Sequence, residues 1–232
     1  MAHGKKYRAA LEKVDANKFY LLDEACALVR ETSTTKFDST VEVHVNLSID
    51  PAKAEQQLRS TVALPHGIGK EVRVIAFVPE DKVKEALSAG AIKAGSEELV
   101  AEIEKGWLEF DTAIATPDMM KGLGKIARTL GQKGLMPNPK AGTITVEVAK
   151  TVAEIKKGKV EFRNDKLCNL HNVIGKVSFD GAKLSDNLKS YLKAVMENKP
   201  KDVKGTFINS ITLATTMGPA VKIDHLDALK NL

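Results

Sequence analysis

Two kinds of apolar pattern run along the chain, and they divide it into zones. From Ser39 to Leu47, Ser39, Val41, Val43, Val45 and Leu47 fall on one face of an extended segment, with Thr40, Glu42, His44 and Asn46 on the other. A period of two with one polar face predicts an antiparallel sheet that is wet on one side. The same alternation returns late in the chain. Val160 and Phe162 alternate with Glu161 and Arg163, Val177 and Phe179 flank Ser178, and Phe207, Ile211 and Leu213 alternate with Thr206, Ser210 and Thr212. Each end also carries a helical stripe. Leu22, Ala25, Cys26 and Val29 form the first, and Leu184, Leu188, Tyr191, Leu192 and Val195 the last. Spacings of three, four and seven place each set on one face lying against a core.

The middle of the chain reads differently. Val72, Val74, Ile75, Ala76, Phe77 and Val78 are interrupted by Arg73 alone. A continuously apolar strand is buried on both faces, as in a parallel sheet covered by helices. A helical pattern follows through Val83, Ala86 and Leu87. A second helix is predicted from a Ser96 cap, with Glu97 and Glu98 in its first turn, where the helix dipole favours them. A short strand near Ala113–Ala115 and a helix through Met120, Leu123, Ala127 and Leu130 complete the zone. Strands alternating with helices predict an α/β unit. The economical organisation is an α/β domain over 68–159 inserted into a discontinuous α+β domain made of 1–67 and 160–232. The crossings fall near His66–Gly69 and Lys157–Lys159, whose glycines absorb backbone rotation and predict a hinge.

Composition narrows the function classes. The chain has 232 residues and is 43% apolar, enough for one large or two small cores. Lys plus Arg total 35 against 30 Asp plus Glu, a net charge of +5 that permits a nucleic-acid partner without demanding one. Cys26 and Cys168 are far apart and outside any CxxC, which fits unpaired thiols in a reducing compartment. Met1 to Lys6 lacks an apolar core of the secretory type, and no apolar run approaches the ~20 residues of a membrane helix. A cytoplasmic protein is expected.

Catalytic and cofactor readings find little support. Gly69-Lys70 and Gly124-Lys125 resemble phosphate loops. The first glycine of a GxxxxGK[ST] loop is replaced by Leu64 and Met119, and the residue after each lysine is Glu71 or Ile126. Gly122, Gly124 and Ala127 fit GxGxxA, but Pro117 and Asp118 intervene after the strand and the glycines fall within a predicted helix. His3, His44, His66, His171 and His225 show no metal-ligand spacing, and neither HExxH nor GxSxG occurs. Cys26 lies on an apolar stripe, and Cys168 reads as a loop thiol. No catalytic residue, metal or cofactor is expected.

Two segments stand out. Met119–Val146 holds Lys121, Lys125, Arg128, Lys133 and Lys140, five glycines and no acid. Glycine costs a helix about 1 kcal/mol relative to alanine, while a glycine-rich backbone with lysines suits close approach to phosphates. A solvated basic loop remains the plain alternative. Near the C-terminus, Thr206, Ser210, Thr212, Thr215 and Thr216 lead into Met217-Gly218-Pro219. Hydroxyls there suit RNA 2′-hydroxyl and phosphate groups, or simply strand propensity.

Several stretches together resemble the bacterial ribosomal protein L-one family. They are Lys36-Phe37-Asp38-Ser39-Thr40, the long run Ile126–Lys140, Phe162–Lys166, Lys204–Phe207 and Thr215–Pro219. The resemblance implies a discontinuous α+β domain with an inserted Rossmann-like α/β domain. It implies a structural constituent of the large ribosomal subunit, cytoplasmic and ribosome-associated. Its partners would be large-subunit ribosomal RNA at the mobile stalk, exit-site tRNA, whose release it assists, and its own mRNA, whose translation it represses. The chain would be a monomer off the ribosome.

By position, the resemblance gives the RNA contacts to Lys36, Phe37, Thr40, Glu42, Lys166, Ser210, Thr216, Met217 and Gly218. Phe37 would pack its turn or lie against a ribose. Thr216 and Gly218 would bond hydroxyls or phosphates, Met217 would give apolar shape, and Lys36 and Lys166 would supply charge. Lys121, Lys125, Arg128, Lys133 and Lys140 would form a secondary contact. The tail from Asp224 lies outside these motifs, a short helix or a frayed end. Two rival classes remain. One is a nucleotide-dependent enzyme built on the inserted domain, resting on fold analogy alone. The other is a protein-interaction scaffold, which leaves the acid-free stretch unexplained.

Overall fold

A computed structural model describes residues 4–230; His3, one of the histidines considered above, lies outside them. The chain opens with helices α1 (Lys5–Leu11) and α2 (Leu22–Glu31), strand β1 (Thr40–Leu47) and strand β2 (Arg59–Ala63). Next come β3 (Val74–Phe77), α3 (Glu80–Ser88), β4 (Lys93–Gly95), α4 (Glu97–Glu104), β5 (Thr112–Ala115), a 3-10 segment Pro117–Lys125, α5 (Ala127–Lys133) and α6 (Val148–Lys156). It closes with β6 (Lys159–Arg163), β7 (Asn169–Lys176), α7 (Gly181–Glu197), β8 (Ile208–Thr215), β9 (Val221–Ile223) and α8 (His225–Lys230). The tail after Asp224 is therefore helical as far as Lys230. Two compact units result, Met1–Gly69 with Val160–Leu232, and Lys70–Lys159. The architecture is α+β with separate sheets.

The split unit is built on a four-stranded sheet in the order β7-β1-β8-β9, with its described pairings antiparallel. β1 sits inside it, and its alternation decides the layers. Ser39, Val41, Val43 and Val45 are fully buried and Leu47 nearly so. They meet α2 through Ala25, Cys26 and Val29, and α7 through Leu184, Leu188, Tyr191, Leu192 and Val195, in one continuous core. Both helices follow their sequence stripes. The opposite sheet face carries Thr40, Glu42, His44 and Asn46. The pairing of β1 with β8 shifts between Asn46 and Leu47, so Phe207 and Ile208 are consecutive and both buried. A second, two-stranded sheet pairs β2 with β6.

The inserted unit holds a parallel sheet in the order β4-β3-β5. Successive residues of β3 feed two separate cores. Ile75 and Phe77 pack with Leu99, Ile103, Leu123 and Leu130 on one side. Val74, Ala76 and Val78 pack with Ala86, Val148, Val152 and Ile155 on the other. Burial on both faces is why this strand is apolar throughout.

Three local expectations are corrected. Val177 and Phe179 are not strand: β7 ends at Lys176, and Val177–Phe179 turn the chain into α7. Ser96 precedes α4 with φ −113° and ψ −108°, and its side chain makes no cap hydrogen bond. Gly122 and Gly124 lie in a 3-10 segment rather than an α-helix. The tighter turn uses fewer residues per hydrogen bond and suits a stretch that glycine weakens as α-helix.

Candidate nucleic-acid interface

The first candidate residues meet where β1 begins and β8 ends. Val41 pairs with Thr215, and beyond that pair the chains stay bonded. Thr216 N–H donates to the Thr40 carbonyl at 3.0 Å, and Thr40 N–H donates to Thr216 Oγ1 at 3.2 Å. Lys176, opposite Thr40 on β7, donates from Nζ to Thr40 Oγ1 at 2.9 Å. Lys176 thus joins the cluster, although no sequence motif pointed to it.

After Thr216 the chain makes a tight turn. Gly218 N–H donates to the Thr215 carbonyl at 2.9 Å. Met217 occupies the left-handed region at φ 66°, where non-glycine residues are uncommon. A Cβ at Gly218 would lie 2.1 Å from Thr215 Oγ1, so the turn needs glycine there for space. Thr215 Oγ1 is buried and has no hydrogen-bond partner among the described residues.

The turn presents what a fold normally hides. Met217 is 73% exposed and Phe37 61% exposed. Phe37 therefore packs little against its own turn. That turn is held by other groups. Thr35 Oγ1 donates to the Phe37 carbonyl at 3.0 Å, and Asp38 accepts from Ser178 N–H and Oγ at 3.0 and 2.8 Å. Lys36 is exposed beside it. Met217 also borders a concavity lined by Gly4, Lys5, Lys6, Tyr7 and Thr34, so α1 brings two further lysines to this end.

Ser210 and Lys166 stand elsewhere. Ser210 pairs with Asn46, six residues along β8 from Thr216, or roughly 20 Å at strand spacing. Lys166 is exposed in the turn before β7, whose first residue, Asn169, pairs with Asn46 on the other side. There Asn209 Nδ2 donates to Asn46 Oδ1 at 3.0 Å, and Asn46 Nδ2 to Asn169 Oδ1 at 2.7 Å. The candidates thus form two groups joined by the polar face. Glu42 lies between them, on the strand that also carries His44.

Cys168 sits in the same turn as Lys166 but is buried, with Sγ donating to the Ile49 carbonyl at 3.1 Å. Burial, then the nearby charges of Asp165 and Asp50, raise its pKa. It is a loop thiol, as expected, but one shielded from solvent.

In the inserted unit, Lys121, Lys125, Arg128, Lys133 and Lys140 are all exposed. None forms an ion pair among the described residues, whereas Lys70, Arg73, Lys93 and Lys159 of the same unit do. Gly122, Gly124 and Gly131 do not have positive φ, and a Cβ at each would meet nothing within 4 Å. Neither backbone conformation nor internal packing requires glycine at these positions.

The carboxyl ends of parallel strands are where doubly wound sheets bind nucleotides. Here a cleft of about 810 Å³ near the ends of β3 and β4 is lined by Glu80, Glu97 and Glu98 along with Lys84. Those carboxylates stand in the first turns of α3 and α4 and oppose a phosphate group. No group of three or more His, Cys, Asp or Glu fit to hold a metal occurs among the described residues, and none of their helices is long and apolar enough to cross a membrane.

Several known proteins are similar to this chain over nearly its whole length. The large ribosomal subunit protein uL1 of Thermus thermophilus is 52% identical over 223 residues, covering 96% of this chain and 97% of that one. Its namesake from Chloroflexus aggregans is 55% identical over 233 residues, covering 99% and 98%. That of Salinispora arenicola is 53% identical over 232 residues, covering 100% and 97%. Residues 29–219 match the family model, a span that runs from α2 through the inserted unit to the Met217 turn, and the chain belongs to the ribosomal protein L1p/L10e family.

Proposed function

We propose that this chain is a structural protein of the large ribosomal subunit. It works in the cytoplasm on the ribosome, and its split unit holds large-subunit ribosomal RNA at the base of the mobile stalk. One observation carries the reading: Met217, in a turn that costs backbone strain, and Phe37, in the turn before β1, are displayed to solvent beside Thr40, Thr216 and Lys36. The Thr216 hydroxyl accepts the Thr40 N–H at 3.2 Å and donates to the Thr40 carbonyl only at 3.5 Å, a long bond that its proton can exchange for a phosphate or 2′-hydroxyl oxygen. Lys36 supplies charge, and the two apolar side chains fit against ribose and base surfaces. Glu42, Ser210 and Lys166 extend the contact along the polar sheet face.

The inserted unit has a separate part. Its unpaired cations, Lys121, Lys125, Arg128, Lys133 and Lys140, approach phosphates of ribosomal RNA or of the exit-site tRNA whose release the protein assists. The same split-unit surface binds its own mRNA, through an element that mimics the ribosomal site, and represses translation. The chain works without catalysis or cofactor, as a monomer off the ribosome.

The test is affinity of the purified protein for a stalk RNA fragment and for a scrambled hairpin of equal length, at two salt concentrations. Tight binding to the fragment alone, weakening with salt yet staying specific, supports the proposal. Equal and weak binding to both overturns it.

A further inference from the structure

His44 on β1 and His171 on β7 stand directly opposite each other on the polar sheet face. They are 127 residues apart in sequence, so no ligand spacing announces them. Their Nδ1 atoms are 2.8 Å apart and their ring planes cross at 63°. Both remain accessible, with side chains 34% and 53% exposed.

The outer nitrogens face carboxylates. His171 Nε2 lies 3.4 Å from Asp165 Oδ2, and His44 Nε2 lies 4.0 Å from Glu42 Oε2. Asp165, within hydrogen-bond reach, holds the proton on His171 Nε2 and leaves His171 Nδ1 as an acceptor, whereas Glu42 is too distant to fix the His44 tautomer. One hydrogen bond, with His44 Nδ1–H donating to His171 Nδ1, spans the 2.8 Å between the rings, and a divalent cation that displaces this single proton gains a lone pair from each ring. The next residue across the sheet, Thr212, is uncharged, and Lys222 beyond it is turned away to the Ala16 carbonyl at 2.9 Å.

The spacing selects among metals. With metal–nitrogen bonds of about 2.0–2.1 Å, two ligands at a right angle lie about 2.9 Å apart, and two at a tetrahedral angle about 3.4 Å. The observed separation matches the right angle, the geometry that Cu²⁺ and Ni²⁺ prefer with nitrogen ligands. We propose that His44 and His171 form a two-imidazole site for a divalent cation of tetragonal preference, bound through both Nδ1 atoms, with water completing the coordination. Asp165 orients the His171 ring from behind. The site lies on the sheet face that the RNA reading also uses, and its test needs no RNA.

The test is calorimetric titration of Ni²⁺ into the full chain carrying His3→Ala, which removes the histidine nearest the N-terminus from the measurement. One saturable site is expected, weakened by about tenfold or more in His44→Asn and likewise in His171→Asn. In proton NMR, substoichiometric Ni²⁺ should broaden the ring signals of His44 and His171 before those of His66 and His225. Absence of saturable binding, binding that survives either substitution, or earlier broadening at His66 or His225 overturns the proposal.

Discussion

Replacing Met217 with glycine separates what the fold needs from what a partner needs. Met217 sits at φ 66° with 73% of its surface exposed. The left-handed conformation costs a non-glycine residue about 1–2 kcal/mol, which glycine recovers. Against this, glycine loses roughly 0.5–1 kcal/mol more conformational entropy on folding. The buried quarter of the methionine contributes about 0.5 kcal/mol, on a full-burial value of about 1.5–3 kcal/mol. The sum lies within about 1 kcal/mol of zero, so Met217→Gly should fold as stably as the parent. Covering the exposed three quarters with RNA is worth about 1–2 kcal/mol, so affinity for the stalk fragment should fall roughly 5- to 30-fold. Urea denaturation followed by far-ultraviolet circular dichroism gives the first quantity. Fluorescence anisotropy with labelled RNA at fixed salt gives the second. A loss of more than about 2 kcal/mol in stability with unchanged affinity would refute the reasoning, because the methionine would then serve the fold.

Other positions give independent checks. Thr216→Val removes the acceptor for Thr40 N–H and the hydroxyl donor, so RNA affinity should fall while the chain stays folded; wild-type affinity by the same anisotropy assay would remove Thr216 from the interface. Asn187 is fully buried, accepting from His66 N–H at 3.0 Å and donating to the Gly67 and Ile174 carbonyls at 2.9 and 2.8 Å. Asn187→Ala strands three backbone groups and should cost about 3 kcal/mol or more in denaturation, and a loss below about 1 kcal/mol would contradict the count.

The Cys26 thiol is pushed up to about 12 by burial and then by Asp23, with Lys189 opposing. It should resist alkylation at pH 8 in the native chain and react after denaturation, as mass spectrometry would show. Burial works against the Asp111 charge, yet hydrogen bonds from Arg73 and Lys70 prevail and hold its carboxyl well below the usual range. Such a group adds stability above its unfolded value near pH 4 and loses it as pH falls through the lower folded value. Asp111→Asn should therefore weaken the inserted unit at neutral pH and flatten its acid limb; matching acid limbs in both chains would count against this.

The elements that the sequence revealed are those whose polarity follows their burial. β1 alternates without a fault, and α2 and α7 carry unbroken stripes. β7 hides because its polarity is inverted at two positions. Asn172 is a polar residue whose side chain joins the interior network, accepting from Tyr191 Oη at 2.9 Å and donating to the Glu161 carbonyl at 2.8 Å. Val173, in contrast, pairs with Glu42 on the face that carries polar side chains. A shift in the β1–β7 register between Val41 and Glu42 disturbs the period further. β2 buries a single valine, Val62, and α1 a single alanine, Ala10, so neither shows a pattern.

The same gap explains what was missed at the interface. Lys176 and His171 both lie on β7, and their partners, Thr40 and His44, are more than 120 residues away. Residue types and motifs pick out Thr216, Met217 and Phe37. The sheet register alone separates Ser210 and Lys166 from them by the length of a strand.

The central claim is that RNA is held by the split unit, at the β1–β8 end of its sheet. Hydrogen exchange of the full chain, with and without the stalk RNA fragment, tests it most directly. Slowed exchange is expected over residues 36–42 and 214–218, with smaller effects in the inserted unit. Protection confined to residues 119–140, with the Met217 turn exchanging as in the free protein, would contradict it.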